Sequence, residues 1–318
     1  MSDRELSDRE LVFREGTSSD LWENFELSSR ALHWTARSLA VLPQDSRPDE
    51  AEIHASWLRE RPFVEFMAAQ PGRCLVCERD GELLGHARVT RFGDMEHLTE
   101  IMVDPASHGV GIGRGLLERL WPGTPSPHTG RIVVAAGSNV DLSLYTAFGA
   151  MPATGHWHLR LPGKDYLERR SHEDAGASDV HVLTSDRAVE EWKRLEPPAV
   201  GHERPLLHEF FGRTRSCLAC LDDGRASALC WVSARDEIGP AVGESAEALV
   251  PVVLAALDWV AKQHEPETLC VFCTTDSWWL LDRLRRLGFR VFWPSWVMSS
   301  VPLPGLDRYL PTWPARLL

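Results

Sequence analysis

The chain has 318 residues, 43% hydrophobic and 25% charged, with a formal net charge of −12. That length suggests about two domains at ~150 residues each, and the composition is that of a chain with ordinary packed cores. The acidic balance argues against nucleic acid or an anionic membrane as the main partner, because phosphate surfaces require a basic face.

Residues 1–10 are polar and charged, without the apolar centre of a signal peptide. They are expected to be a disordered tail. No apolar run reaches the ~18–20 residues that span a bilayer, so the chain is expected in the cytoplasm with reduced cysteines. Three C-x-x-C pairs (Cys74/Cys77, Cys217/Cys220, Cys270/Cys273) sit in apolar, strand-like runs. Residues three apart on a strand face opposite ways, so buried thiols are expected and no metal site.

Leu11–Arg14 reads as a first strand, and Asp20 as the cap of a helix over Leu21–Leu32. A second helix carries Ile53, Trp57 and Leu58, with Pro62–Ala69 extending it. Arg73–Glu78 and Leu83–Arg91 read as a hairpin turned at Asp80-Gly81. His97–Val103 is the next strand. After it come Pro105, three glycines at alternate positions (Gly109, Gly111, Gly113), and an apolar-periodic helix with Leu116, Leu117 and Leu120. Glycines here let the backbone approach a bulky anion, and a helix start adds unpaired N–H groups and the positive dipole end. The stretch reads as a pyrophosphate cradle. A dinucleotide fingerprint requires G-x-G-x-x-G directly after the first strand, and a Walker loop requires Gly-Lys-Ser/Thr. Neither is present.

The pattern V-x-P-x-x-x-G-x-G-x-G-x-x-L-L resembles the acetyl-CoA signature of the GNAT acetyltransferase superfamily, with His108 in place of the usual Arg or Gln. The resemblance implies acetyl-CoA (or another acyl-CoA) as cosubstrate. It implies contacts from Met102 and Val103 on the cradle strand, whose backbone N–H polarises the thioester and pairs with the acyl-pantetheine arm. Contacts from His108, Gly109, Val110, Gly111, Gly113 and Arg114 on the diphosphate are implied too. Tyr145, four residues before Gly149, matches the family's thiol-protonating tyrosine. Asn139 resembles its pantetheine- or diphosphate-binding Asn, with Ser138 as the alternative at that spacing. Glu100 is the candidate general base; a solvated or salt-bridged strand residue is the alternative, and Asp94, Glu96 and His97 are fallback bases. The early helices are implied to wall the acceptor site, and Trp34 and Trp57 to line it. Trp278, Trp279, Trp293 and Trp296 are expected in a second core or a domain interface.

The remainder reads as a strand at Arg131–Ala136, a helix at Asp141–Phe148, a closing strand at Trp157–Leu161 and a polar linker at Pro162–Asp179. The second half repeats the first faintly. Cys74-Leu75-x-Cys77-x-x-Asp80-Gly81 returns as Cys217-Leu218-x-Cys220-x-x-Asp223-Gly224, and Leu142–Gly149 as Leu281–Gly288. Two matches in one order indicate tandem duplication. The second copy has Glu244 and Glu247 where the cradle would be, and Leu284 in place of Tyr145. The expected fold is α+β: two GNAT-like domains, each a mixed, mostly antiparallel sheet flanked by helices. Residues 11–161 form the catalytic domain, 162–179 the linker, and 180–318 a degenerate copy with an irregular Pro-rich tail. The implied activity is N-acylation of a small-molecule amine through a ternary complex. A non-catalytic acyl-CoA sensor and a mycothiol-synthase-like acetyltransferase are the alternatives. Nothing in the sequence sets the oligomeric state.

Overall fold

The structure, a computed structural model, describes residues 10–126, 128–136, 138–172, 180–312 and 317–318. The expected tail at 1–10 lies outside the described residues except for Glu10. The chain divides into two compact units. The first comprises residues up to Arg91, Met95–Arg131 and Thr146–Gly149; the second comprises Phe92–Asp94, Ile132–Tyr145 and Ala150–Leu318.

The first unit contains β1 (Val12–Glu15), α1 (Leu21–Ser38), α2 (Glu50–Ala69), β2 (Gly72–Arg79), β3 (Glu82–Phe92), β4 (Met95–Val103) and α3 (Ile112–Leu120). Its strands run in the order β1-β2-β3-β4. β2 and β3 meet at Asp80 (φ 54°) and Gly81 (φ 81°), the two positive-φ positions of a tight hairpin turn. Asp20 does not cap α1. Its carboxylate accepts from the backbone N–H and hydroxyl of Thr17, at 2.6 and 2.9 Å, and from Arg14 Nη2 at 2.8 Å. It thereby closes the turn before the helix. α1 runs past the expected end at Leu32 because Ala36 is still buried. Leu21 and Phe25 of α1 pack on Val64 of α2, with Trp57 against the cluster.

The rest of the chain forms β5 (Gly130–Ala135), α4 (Asn139–Ala147), β6 (Met151–Pro162), α5 (Gly163–Ser171), β7 (Val180–Leu183), α6 (Ser185–Leu195), α7 (Pro197–Val200), α8 (Pro205–Thr214), β8 (Arg215–Asp222), β9 (Arg225–Ser233), β10 (Ile238–Gly243), α9 (Ala246–Gln263), β11 (Thr268–Thr274), α10 (Trp278–Arg286), β12 (Arg290–Ser299) and β13 (Tyr309–Leu310). The repeat is visible in the element order: hairpin, strand, helix, strand, helix, strand. Asp223 (φ 47°) and Gly224 (φ 77°) turn the second hairpin as Asp80 and Gly81 turn the first.

The two copies exchange their last strands. Four strands of the second unit run β5-β12-β6-β11. β12 lies antiparallel to β5, with Trp296 opposite Ala135 and Val297 opposite Val134. β6 lies antiparallel to β11, with His158 opposite Phe272. Each copy's closing strand thus pairs with a strand of the other, and β6 and β12 also pair with each other. A separate sheet runs β13-β10-β9-β8-β7. The main core packs Leu249, Val253, Leu257 and Val260 of α9 against Leu218, Cys230 and Val271.

Three expectations change. The stretch 162–179, expected as a polar linker, opens with the helix α5. Tyr166 of that helix is fully buried and donates to Asp258 Oδ1 at 2.6 Å, which anchors it; residues 173–179 lie outside the described residues. The tail is not wholly irregular, since it supplies β13. Trp278 and Trp279 are 71% and 56% exposed, and among the described residues the buried indoles of the second copy are Trp192 and Trp231.

The described cysteines are free, and five of the seven are buried. Burial raises the thiols of Cys74 to about 11 and Cys217 to about 12, so they stay protonated near neutrality. Among the described residues, no group of three or more His, Cys, Asp or Glu is placed to hold a metal ion. No described helix is long and apolar enough to cross a membrane.

Candidate active site

Glu100, Met102, Val103, His108, Gly109, Val110, Gly111, Gly113 and Arg114 all belong to the first unit, whereas Asn139 and Tyr145 belong to the second.

In the first unit, β4 ends at Val103 because Asp104 and Pro105 start a single 3-10 turn, in which Asp104 Oδ1 accepts from Ala106 N at 2.8 Å. His108 follows, and its Nε2–H donates to the Val103 carbonyl at 3.1 Å. Its ring meets Trp34 edge-on, centroids 4.8 Å apart. The residue that replaces the family's Arg or Gln therefore ties the loop back to the strand end. Its own backbone N–H is also used, donating to Pro105 O at 3.4 Å.

The glycine turn begins one residue later. Gly109 (φ 84°) and Gly111 (φ 88°) are left-handed, and nothing lies within 4 Å of where a Cβ would stand on either. The turn requires glycine for its backbone and leaves the space above it open. α3 starts on Gly111, and its first intrahelical bond is Gly115 N to Gly111 O at 2.9 Å. The donors ahead of that bond have no acceptor within the helix. Ile112, Leu116, Leu117 and Leu120 are buried and fix the helix axis. Gly115 has a different role: a Cβ there would stand 2.7 Å from Phe13 Cζ, so it admits β1.

Glu100 is not isolated. Arg88 Nε on the neighbouring β3 donates to its Oε2 at 3.3 Å, and the two side chains are only 8% and 9% exposed. Of the alternatives left by the sequence, the salt bridge is present. Arg88 gave no sequence signal; it became visible only once β3 and β4 lay side by side. Of the fallback bases, His97 is buried and Asp94 is exposed. Trp57 packs between α1 and α2 with Trp22 (5.8 Å) and Phe25 (5.3 Å), whereas Trp34 is 44% exposed.

In the second unit, Ser138 Oγ accepts from Asp141 N at 3.1 Å and so caps α4. Asn139 is exposed at the first helical position. Tyr145 is 5% exposed. Burial, reinforced by the charge of Asp141, moves its phenol well above the usual tyrosine range, so it carries its proton at any physiological pH. Trp293 Nε1 donates to Ala136 O at 3.0 Å just past β5, which fixes the approach to α4. Ser295 Oγ donates to His156 O at 2.7 Å and receives His156 Nδ1–H at 2.7 Å and His158 Nε2–H at 3.2 Å.

Residues 35–121 match the Acetyltransferase (GNAT) family. The whole chain has the fold of tandem GNAT proteins. A putative acetyltransferase from Pyrococcus horikoshii superposes with a TM-score of 0.65 at 16% identity, over 94% of this chain and 92% of that one. A tandem GNAT protein from the clavulanic acid biosynthesis pathway gives 0.60 at 15% identity, over 92% and 99%. A GCN5-related N-acetyltransferase from Sphaerobacter thermophilus gives 0.54 at 15% identity, over 93% and 97%. No curated protein matches the sequence. The matched segment takes in β4, the glycine turn and α3.

Proposed function

We propose that the protein is an acyl-CoA-dependent N-acyltransferase, with acetyl-CoA as the expected donor and a small-molecule amine as acceptor. The observation that carries this reading is the open, left-handed Gly109–Gly111 turn leading into α3, inside a segment that matches the acetyltransferase family. The turn suits the diphosphate of CoA: Val110, Gly111, Gly113 and Arg114 would hold it through backbone N–H groups, with no side-chain cation required. Met102 and Val103 would receive the acyl-pantetheine arm along β4, and Asn139 would contact it at the start of α4.

Transfer is direct. The amine nitrogen attacks the thioester carbon, the carbonyl oxygen takes up negative charge near the Val103 N–H, and the C–S bond then breaks. Tyr145, protonated and buried, gives its proton to the leaving thiolate and recovers it from the amine's released proton through solvent. Glu100 accepts that amine proton, directly or through a water. The acidic net charge of −12 is compatible with a cationic acceptor.

Incubation of the purified chain with acetyl-CoA and an amine panel tests the reading, with CoA release and product mass as readouts. Tyr145→Phe is expected to lower kcat about 100-fold while leaving acetyl-CoA affinity unchanged. Bound acetyl-CoA with no acylated product, and no difference between Tyr145 and Phe, would favour a sensor instead.

A further inference from the structure

The second copy has its own version of the strand on which the acyl-pantetheine arm is proposed to lie. β10 follows an Asp-Gly hairpin and precedes a helix, as β4 does. The edge of β10 is not open. β13 pairs with it antiparallel, Leu310 opposite Ala241 and Tyr309 opposite Val242. The same segment bonds to the start of α10: the Leu306 carbonyl accepts from Thr274 Oγ1 at 2.7 Å and from Ser277 Oγ at 2.9 Å, and the Tyr309 carbonyl accepts from Ser277 Oγ at 3.3 Å. Ser277 is the repeat's counterpart of Ser138, by the same offset that matches Leu281 to Leu142. The tail therefore touches the second copy's equivalents of both elements assigned to the arm in the first.

We propose that residues 306–312 are a built-in stand-in for an acyl-pantetheine arm. They fill the slot of the second copy and restrict the chain to one acyl-CoA. The meaning of the slot rests on the reading given under Proposed function.

Three features of the site are fitted to a peptide rather than to a cofactor. The first is close approach. A Cβ on Gly239 (φ 110°) would stand 2.6 Å from Pro311 O, so a strand of β10 carries a glycine where the tail crosses it. The second is charge. At the turn into α9, where a diphosphate would need N–H donors, Arg308 instead donates to Glu244 O at 2.7 Å and to Pro198 O at 2.9 Å. The Glu244 carboxylate is bridged to Arg194 at 2.8 Å, and Ser245 Oγ takes the Ala248 N–H at 3.2 Å. A cation on a carbonyl replaces an anion on amides. The third is anchoring. Leu306, Tyr309 and Leu310 are at most 3% exposed. Tyr309 OH lies 3.2 Å from Glu196 Oε1, in a buried group with Arg204 and His208. Leu318 O accepts there from Thr312 Oγ1 at 3.0 Å.

Hydrogen–deuterium exchange on the intact chain tests this, read at two places at once. Residues 241–243 are expected to be protected with or without acetyl-CoA, and native mass spectrometry to show one acetyl-CoA per chain. The double variant Arg308→Ala/Leu310→Gly is expected to speed exchange at 241–243 and 306–312 roughly tenfold, and to leave 101–113 unchanged. A second sample carries a specific protease site at Pro302, so that the folded chain can be nicked and the tail washed away. Exchange at 241–243 should then rise and fall again on adding a synthetic peptide of residues 303–318 or S-acetylpantetheine. Two acetyl-CoA molecules on the intact chain, or protection at 241–243 that neither the variant nor tail removal changes, would overturn the proposal. If the nicked chain unfolds, the variant decides. Absence of acetyl-CoA protection at 101–113 would count against the acyltransferase reading and not against tail pairing.

Discussion

Several residues proposed for the site have a second physical role, and the predictions follow from separating the two. Gly111 holds a left-handed turn with open space beside it. Gly111→Ala therefore adds no clash, only backbone strain, about 1–2 kcal/mol, visible as a lower urea midpoint. Its methyl would project into the space assigned to the diphosphate, so the Kd for CoA should rise by more than the stability loss explains. Glu100 and Arg88 form a pair buried on both sides. Glu100→Gln leaves a guanidinium uncompensated and should cost about 3 kcal/mol, measured by denaturant unfolding. Pairing it with Arg88→Met should restore most of that stability. If Glu100 is the base, the double variant stays inactive; recovery of kcat would remove it from that role. The sequence pointed to Gly109, Gly111 and the helix after them because glycine spacing is local chemistry. It was silent on Arg88 and on the bond from His108 to Val103, because both depend on which segments become neighbours.

At the scale of elements, the hairpins and the helices of the first copy were legible from turn residues and apolar spacing, whereas α6, α8 and α9 of the second were not read. Asp80-Gly81 and Asp223-Gly224 mark their turns in one dipeptide each. What could not be read was pairing at a distance. Nothing in Trp157–Leu161 states that it will lie against β11 of the other copy rather than its own β5, since either edge offers the same backbone groups. The exchange makes a specific prediction. A fragment of residues 1–172 lacks β12, so β5 and β6 each keep an unpaired edge. It is expected to aggregate or to show no cooperative unfolding transition, while co-expression with residues 173–318 should yield a soluble complex. A monomeric, cooperatively folding 1–172 would contradict the pairing. The helix α5 was missed for a related reason: its composition is that of a surface segment, and only Tyr166, seated on Asp258, reveals that it is anchored.

For the molecule as a whole, buried histidines set the acid limit of stability. Burial lowers His158 to about 4, and burial together with the charge of Arg204 lowers His202 to about 4. Both then bind protons less readily folded than unfolded. Between about pH 6.5 and 4 the unfolded chain takes up more protons, so stability falls as pH drops through that window and is flat above it. Urea midpoints at stepped pH should show this slope, and His158→Gln should make it shallower; an unchanged slope would locate the effect elsewhere. The exchanged strands also bear on the gene's history. A duplicate is normally free to be lost, but here deletion of either copy strips a pairing strand from the other. Both halves are therefore retained together, and recombination that replaces a single copy must bring a closing strand able to fit a partner it did not evolve with.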